Sequence, residues 1–185
     1  MFHLVRFSRV PLLFCIVAMC SLKTAATSAG ASASLGLESP SFQPGTAIPA
    51  RFSCDAQNLS PALKWKEPPK GTRSFALILR DPDAPGGVFV HWLIYNLPQS
   101  LRGLPEGVAQ EPELSDGSRQ GRNSARRIGY AGPCPPPGPA HRYIFTLYAL
   151  DANLPLPAGA TEPELVKAIE GHILATGQLM GRFHR

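Results

Sequence analysis

Residues Ser74 to Asn96 read SFALILRDPDAPGGVFVHWLIYN: two apolar runs joined by a segment of prolines, glycines and aspartates. The first run, Ser74 to Arg80, is apolar without interruption through its middle, as expected of a central strand buried on both faces. The second, Val88 to Asn96, divides by alternation. Val88, Val90, Trp92 and Ile94 are expected on one face, and Phe89, His91, Leu93 and Tyr95 on the other. Between the runs, Asp81 and Asp83 stand just past the end of the first strand, and His91 stands close to the start of the second.

Outward from this segment the punctuation stays dense. Twenty prolines and 17 glycines cut the 185-residue chain into short apolar pieces, the pattern of an all-β domain with long ordered loops. Further strands are expected over Ile48–Cys54, Ala62–Trp65 and Tyr143–Leu150. One helix is expected near the C-terminus. Thr161 and Glu164 have capping-box spacing with Pro163 in the first turn, and Leu165, Ala168, Ile169, His172 and Ile173 recur at helical spacing. Gly171 and Gly177 weaken its later turns. The segment from Ser100 to Gly129 carries few apolar residues and reads as an extended loop. The expected fold is all-β: two antiparallel sheets in a Greek-key-type sandwich, with a C-terminal helix on its flank.

The N-terminus has a different character. Arg6 and Arg9, then the apolar run VPLLFCIVAMCSL, then the small residues KTAATSAGASAS follow the order of a secretory signal peptide. The apolar run is about 13 residues, short for a bilayer span. We expect residues 1–29 to be a leader, cleaved after Ala26 or Ala29, and residues 37–185 to form the domain. The leader holds Arg6, Arg9, Lys23 and no acid, so removing it lowers the basic count from 18 to 15, against 13 acidic residues. A net charge near +2 removes most of the support for nucleic-acid binding. The local run Arg119, Arg122, Arg126 and Arg127 is read as a solvated loop, with an acidic partner as its alternative. Periplasmic or secreted localisation follows, with no stable membrane insertion after cleavage.

Cys15 and Cys20 belong to the leader, leaving Cys54 and Cys134. In an exported protein they are a candidate disulfide, with two separate buried thiols as the alternative. A bond would close a loop of about 80 residues and contribute ~4.5 kcal/mol in the chain-entropy model. No CxxC or Cys/His finger spacing occurs, so no structural zinc site is expected, and the chain is read as having no metal and no cofactor.

The second chemically dense stretch is RIGYAGPCPPPGPAHRYIFTLYALD, Arg127 to Asp151. It too joins a Pro/Gly-rich loop to a strand and sets a histidine, His141, at the junction, with Tyr143 on the same face. Prolines hold such a loop at low entropic cost, and glycines let a ligand approach the backbone. A histidine at the rim can donate to an anion. The two stretches together suggest a small preformed pocket for a phosphate or carboxylate. In it His91, His141 and backbone amides would donate, and the aspartates would orient a histidine.

DPDAP with the following HW, and GYAGPCPPPGPAHRYIFTLYALD, resemble the phosphatidylethanolamine-binding protein family in its bacterial, Raf-kinase-inhibitor-like branch. CDAQNLSPALKW (Cys54–Trp65) and QGRNSARRIGY are similar to the same branch, and the likeness runs from Leu37 to the C-terminus. It implies a fold of two antiparallel sheets with a short C-terminal helical segment. It also implies an anion pocket lined by Asp81, His91, His141 and Tyr143, with backbone donors around Gly132, Pro133 and Pro135; Asp83 is read from the residues as a support behind them. Two departures stand out. Ala131 replaces a commonly seen glycine, and a tyrosine that some members bring from the C-terminal helix has no clear counterpart, leaving Thr176 or Phe183 for the far wall.

The function expected is that of an exported, non-enzymatic binding protein for an anionic small molecule or phospholipid head group, with no catalytic residues. A metal- or histidine-dependent hydrolase using the same pocket is the alternative. No HExxH, GxSxG, P-loop or Rossmann glycine pattern occurs, and His91 and His141 lie 50 positions apart. A third role, modulation of a protein partner as eukaryotic relatives do with kinases, finds no signature of its own.

Overall fold

The computed structural model describes residues 1–3 and 33–185. The expected leader and its cleavage sites fall outside the described residues, apart from the first three.

From residue 33 onward the chain builds β1 (Ala33–Ser34), β2 (Leu63–Lys64), β3 (Ser74–Asp81), β4 (Phe89–Pro98), β5 (Gly103–Leu104), β6 (Arg119–Gln120), β7 (His141–Leu150), α1 (Glu162–Ile169) and β8 (Ile173–Phe183). Six strands form one sheet in the order β1-β8-β7-β3-β4-β6, and β2 pairs with β5 in a small second sheet. Every pairing is antiparallel except the short one between β1 and β8.

The continuous apolar run Phe75–Leu79 lies at the middle of the large sheet, between β4 and β7, and is fully buried. Its odd and even residues serve different cores. Phe75, Leu77 and Leu79 join Trp92, Ile94, Tyr143, Phe145 and Leu147 on one face, packed beneath Leu63 and Trp65 of the small sheet's side and beneath Phe52 and Tyr130. Ala76 and Ile78 join Leu93, Tyr95, Leu165 and Ile169 on the other, beneath α1. At about 25 cal/mol per Å² of apolar surface removed from water, these two cores supply the main drive for folding. No helix among the described residues is long and apolar enough to cross a membrane.

Strict alternation fails in β4, and the failure shapes the site. Leu79 faces Trp92, yet the next residue, Arg80, faces Val90, so His91 is an extra residue in a β-bulge. The bulge reverses the facing of what lies before it. Val90 packs in the core under α1 with Leu93 and Tyr95, away from Trp92. His91 instead meets Tyr143 on the opposite face, with ring centroids 5.2 Å apart.

Two further segments differ from the sequence expectation. Ile48–Cys54 is no strand but a 3₁₀ turn over Ala50–Phe52, because Ser53 turns both its N–H (2.9 Å) and its hydroxyl (2.8 Å) onto the Ala50 carbonyl. The helix begins as expected, with the Glu164 carboxylate accepting from the N–H (2.7 Å) and hydroxyl (2.6 Å) of Thr161. It ends at Ile169, and Gly171, at φ +80°, turns the chain into β8. The glycines of that strand mark close approach. A Cβ on Gly181 would stand 2.5 Å from Ile48 Cγ1, and one on Gly177 3.0 Å from Leu35 Cβ. The N-terminal segments cross β8 there, so these glycines serve a packed strand rather than a weakened helix.

Candidate functional site

At one end of the large sheet three strands bring charge to the same face. β3 ends on Asp81, the bulge of β4 carries His91, and β7 begins with His141 and continues to Tyr143. Pairing of β3 between β4 and β7 places all three junctions together. They border a cavity of about 280 Å³ whose lining includes Asp81, His91, Gly132, Pro135, His141 and Tyr143.

The hydrogen bonds assign each ring. His91 Nδ1 lies 2.7 Å from the Ala131 carbonyl, which can only accept, so Nδ1 carries the proton. The Ala131 N–H returns a bond to the His91 carbonyl at 2.9 Å. His141 Nδ1 donates to Asp81 Oδ2 at 2.8 Å. Both histidines thus keep Nε2 without a hydrogen-bond partner among the described residues. Burial, partly offset by the Ala131 carbonyl, lowers the pKa of His91 below its ordinary 6.5 and holds the ring neutral. Tyr143 is fully buried, and its hydroxyl has no hydrogen-bond partner among the described residues. Burial first, and the Asp81 carboxylate second, push its pKa upward, so it remains a hydroxyl.

The two aspartates divide their work. Asp81 is buried; its Oδ2 takes His141 and its Oδ1 accepts the Asp83 N–H at 2.8 Å. Asp83 orients no histidine. Its carboxylate accepts from Arg142 through the backbone N–H (2.9 Å), Nε (2.9 Å) and Nη2 (2.7 Å). These bonds hold its pKa down at about 2. The bond to Arg142 fixes the loop that carries the Asp83 N–H, and that N–H fixes Asp81.

The proline loop is a wall more than a source of donors. The Gly132 N–H is occupied by Asn58 Oδ1 at 2.7 Å, and Ala131 is paired with His91. Pro133 lies outside the lining, and its carbonyl accepts from the Cys54 N–H at 3.0 Å. Pro135 lines the cavity without an N–H to offer. Gly132 is needed for space: a Cβ there would sit 2.2 Å from the Phe52 carbonyl oxygen. Cys54 and Cys134 form a disulfide, with Cα atoms 5.4 Å apart, and both cysteines line the cavity. Neither Thr176 nor Phe183 lines it. Thr176 pairs with Tyr148 farther along β7, and Phe183 lies opposite His141 in the sheet.

Several lining residues escape the sequence analysis. Asn58, at φ +55°, occupies a backbone region in which asparagine is enriched, but nothing local shows that it meets Gly132. Phe89 lines the cavity with its ring 4.7 Å from that of His91. Arg127 is the one member of the basic run that reaches the cavity. The others are placed elsewhere: Arg119 bonds the Leu156 carbonyl, and Arg122 and Arg126 are exposed on the far side of their turn.

The comparisons with known proteins follow the same residues. The family model for phosphatidylethanolamine-binding protein matches residues 38–184. A UPF0098 protein of Methanothermobacter thermautotrophicus is 45% identical over 151 residues, covering 82% of this chain and 99% of its own. A UPF0098 protein of Aquifex aeolicus is 44% identical over 149 residues, 80% of this chain and 86% of its own. Among solved structures, a putative phosphatidylethanolamine-binding protein homologue, CT736 of Chlamydia trachomatis, superposes with a TM-score of 0.75 at 38% identity, covering 82% of this chain and 98% of that one. YbcL of E. coli gives 0.76 at 29% identity, covering 83% and 99%. A match through both loop–strand junctions and nearly the whole described domain, in sequence and in fold, settles its kinship: the chain belongs to the phosphatidylethanolamine-binding protein family.

Proposed function

We propose that this protein is an exported, non-enzymatic binding protein that holds an anionic group, a phosphate or the phosphate of a phospholipid head group, among His91, His141 and Tyr143. The observation that carries this is the Tyr143 hydroxyl, fully buried, on the face that also holds two histidines, with neither the hydroxyl nor either Nε2 atom partnered among the described residues. A buried donor left unpaired costs about 1–3 kcal/mol, which an anionic oxygen seated in the cavity would recover. The family name supports a phosphorylated head group as the ligand class. Export is supported by the order of charge, apolar run and small residues at the N-terminus and by a disulfide, which persists in oxidising compartments. A protein partner could act through the same cavity mouth, and such a role stands behind the anion pocket.

The test is a phosphate titration followed by the ring-proton NMR signals of His91 and His141. Saturable shifts in both are expected, with affinity reduced at least about 10-fold, or about 1.4 kcal/mol, in His91→Ala/His141→Ala. Unchanged affinity in the double variant would remove the pocket. The Asp81–His141 pair also has the form of an oriented general base. Phosphate-ester hydrolysis is therefore measured in the same samples, and turnover that disappears in His141→Ala would replace binding by catalysis.

A further inference from the structure

The charges around the cavity do not balance evenly between floor and mouth. On the floor, His91 is neutral by burial, and His141 is hydrogen-bonded to the Asp81 carboxylate. Asp81 is the only carboxylate among the lining residues, and both of its oxygens are already used. Arg127 is the only arginine or lysine of the lining, and no carboxylate pairs with it among the described residues. Arg127 is therefore the one permanent cation of the lining, and its side chain is exposed.

Its backbone is firmly held. Asn123, buried, closes the turn that precedes Arg127: its Oδ1 accepts the Arg127 N–H at 3.1 Å, and its own N–H donates to the Arg127 carbonyl at 2.9 Å. The Asn123 side-chain amide donates to the Gly129 carbonyl at 3.0 Å. Arg126, at φ +62°, lets the chain reverse inside this clamp. Ser124 ties the same turn to β4 beside His91, its hydroxyl accepting the Val90 N–H at 2.9 Å and its N–H donating to the Val90 carbonyl at 2.9 Å. The clamp fixes the point on the cavity rim from which the exposed Arg127 side chain extends.

Resting on the anion-pocket function above, we infer that Arg127 selects among phosphate esters by the charge of the group that the phosphate carries, favouring neutral or anionic substituents and disfavouring ammonium ones. A phosphate seated between His91, His141 and Tyr143 must direct its substituent toward the mouth. There a glycerol-like substituent can accept hydrogen bonds from the guanidinium. An ethanolamine ammonium meets like charge and finds no free carboxylate in the lining. Phe89 could attract a cation through its ring face, while Asp81 is buried at the floor with its oxygens bonded to His141 and the Asp83 N–H. The selection therefore opposes the zwitterionic head group and favours phosphoglycerol-type ligands.

The experiment titrates the protein, Arg127→Gln and Arg127→Glu with three probes: inorganic phosphate, glycerol 3-phosphate and phosphoethanolamine. His91 and His141 ring protons report occupancy in each case. At low salt, glycerol 3-phosphate is expected to bind about 3- to 5-fold more tightly than phosphoethanolamine, the scale of one solvent-exposed charge pair. The ratio is expected to fall toward 1 in Arg127→Gln, to invert in Arg127→Glu, and to shrink at ~1 M salt, where the screening length is about 3 Å. Equal affinities for the two esters, a preference for phosphoethanolamine, or a ratio unchanged in Arg127→Gln would each overturn the selection while leaving the pocket standing. Absence of shifts with all three probes would remove the pocket itself and the selection with it.

Discussion

His91 carries its proton on Nδ1, because the Ala131 carbonyl 2.7 Å away admits no other arrangement. Its free Nε2 is then a lone pair, and a lone pair repels an oxyanion. A phosphate dianion can bind beside it only with one added proton, either on Nε2 or on the phosphate oxygen that faces it. The sign follows from the depressed pKa of the free ring: the empty site disfavours the proton, and the bound anion restores it. Binding at neutral pH should therefore take up protons, and affinity for the dianion should rise as pH falls toward the ordinary histidine range. Calorimetry in two buffers of different ionisation heat measures this directly. An uptake of up to about one proton is expected, lost in His91→Gln; identical heats in both buffers would contradict it.

At the scale of elements, the site depends on places where regular structure is interrupted. The bulge in β4 turns His91 toward Tyr143, and the loops around the cavity are joined by specific single bonds. Asn58 grips the Gly132 N–H, Cys54 N–H reaches the Pro133 carbonyl, and Gly132 itself admits no side chain. Gly132→Ala would push a methyl into the Phe52 carbonyl and break the Asn58 bond. It is expected to cost about 1–3 kcal/mol, as overpacking does, with a drop in Tm of several degrees in thermal unfolding. Phosphate affinity should fall with it, since Ala131 and the His91 ring are bonded next door. A variant with wild-type Tm and affinity would show that the loop yields freely.

For the whole molecule, the Cys54–Cys134 bond connects residues 80 positions apart and ties the 54–58 loop to the proline loop. In the chain-entropy account such a crosslink stabilises by ~4.5 kcal/mol. The domain of residues 37–185, purified without reductant, should show no free thiol. Cys54→Ser/Cys134→Ser should unfold at lower denaturant by about 2–5 kcal/mol in urea titration, and should hold phosphate more weakly, because the bond forms part of the cavity wall. Unchanged stability without the disulfide would mean that the loops are fixed by their hydrogen bonds alone.

Much of this was legible in the chain itself. The uninterrupted FALIL run marks the central strand, since only burial on both faces permits five apolar residues in succession. The Thr161/Glu164 pair marks the helix start, and the DPDAP…HW and GPAHRY segments mark the two junctions, because turn chemistry and capping act over a few residues. What the tertiary structure decided is everything that depends on distant segments meeting. Strict alternation puts His91 opposite Trp92, and only the pairing of β3 with β4 creates the bulge that sets it beside Tyr143. Gly177 suggests a failing helix until Leu35 is seen crossing above it in β8. Arg127 is one of four neighbouring arginines in the sequence, and only the Asn123 clamp singles it out for the cavity. Local propensity writes the elements, whereas bulges, close crossings and charge placement come from long-range contacts that no short window contains.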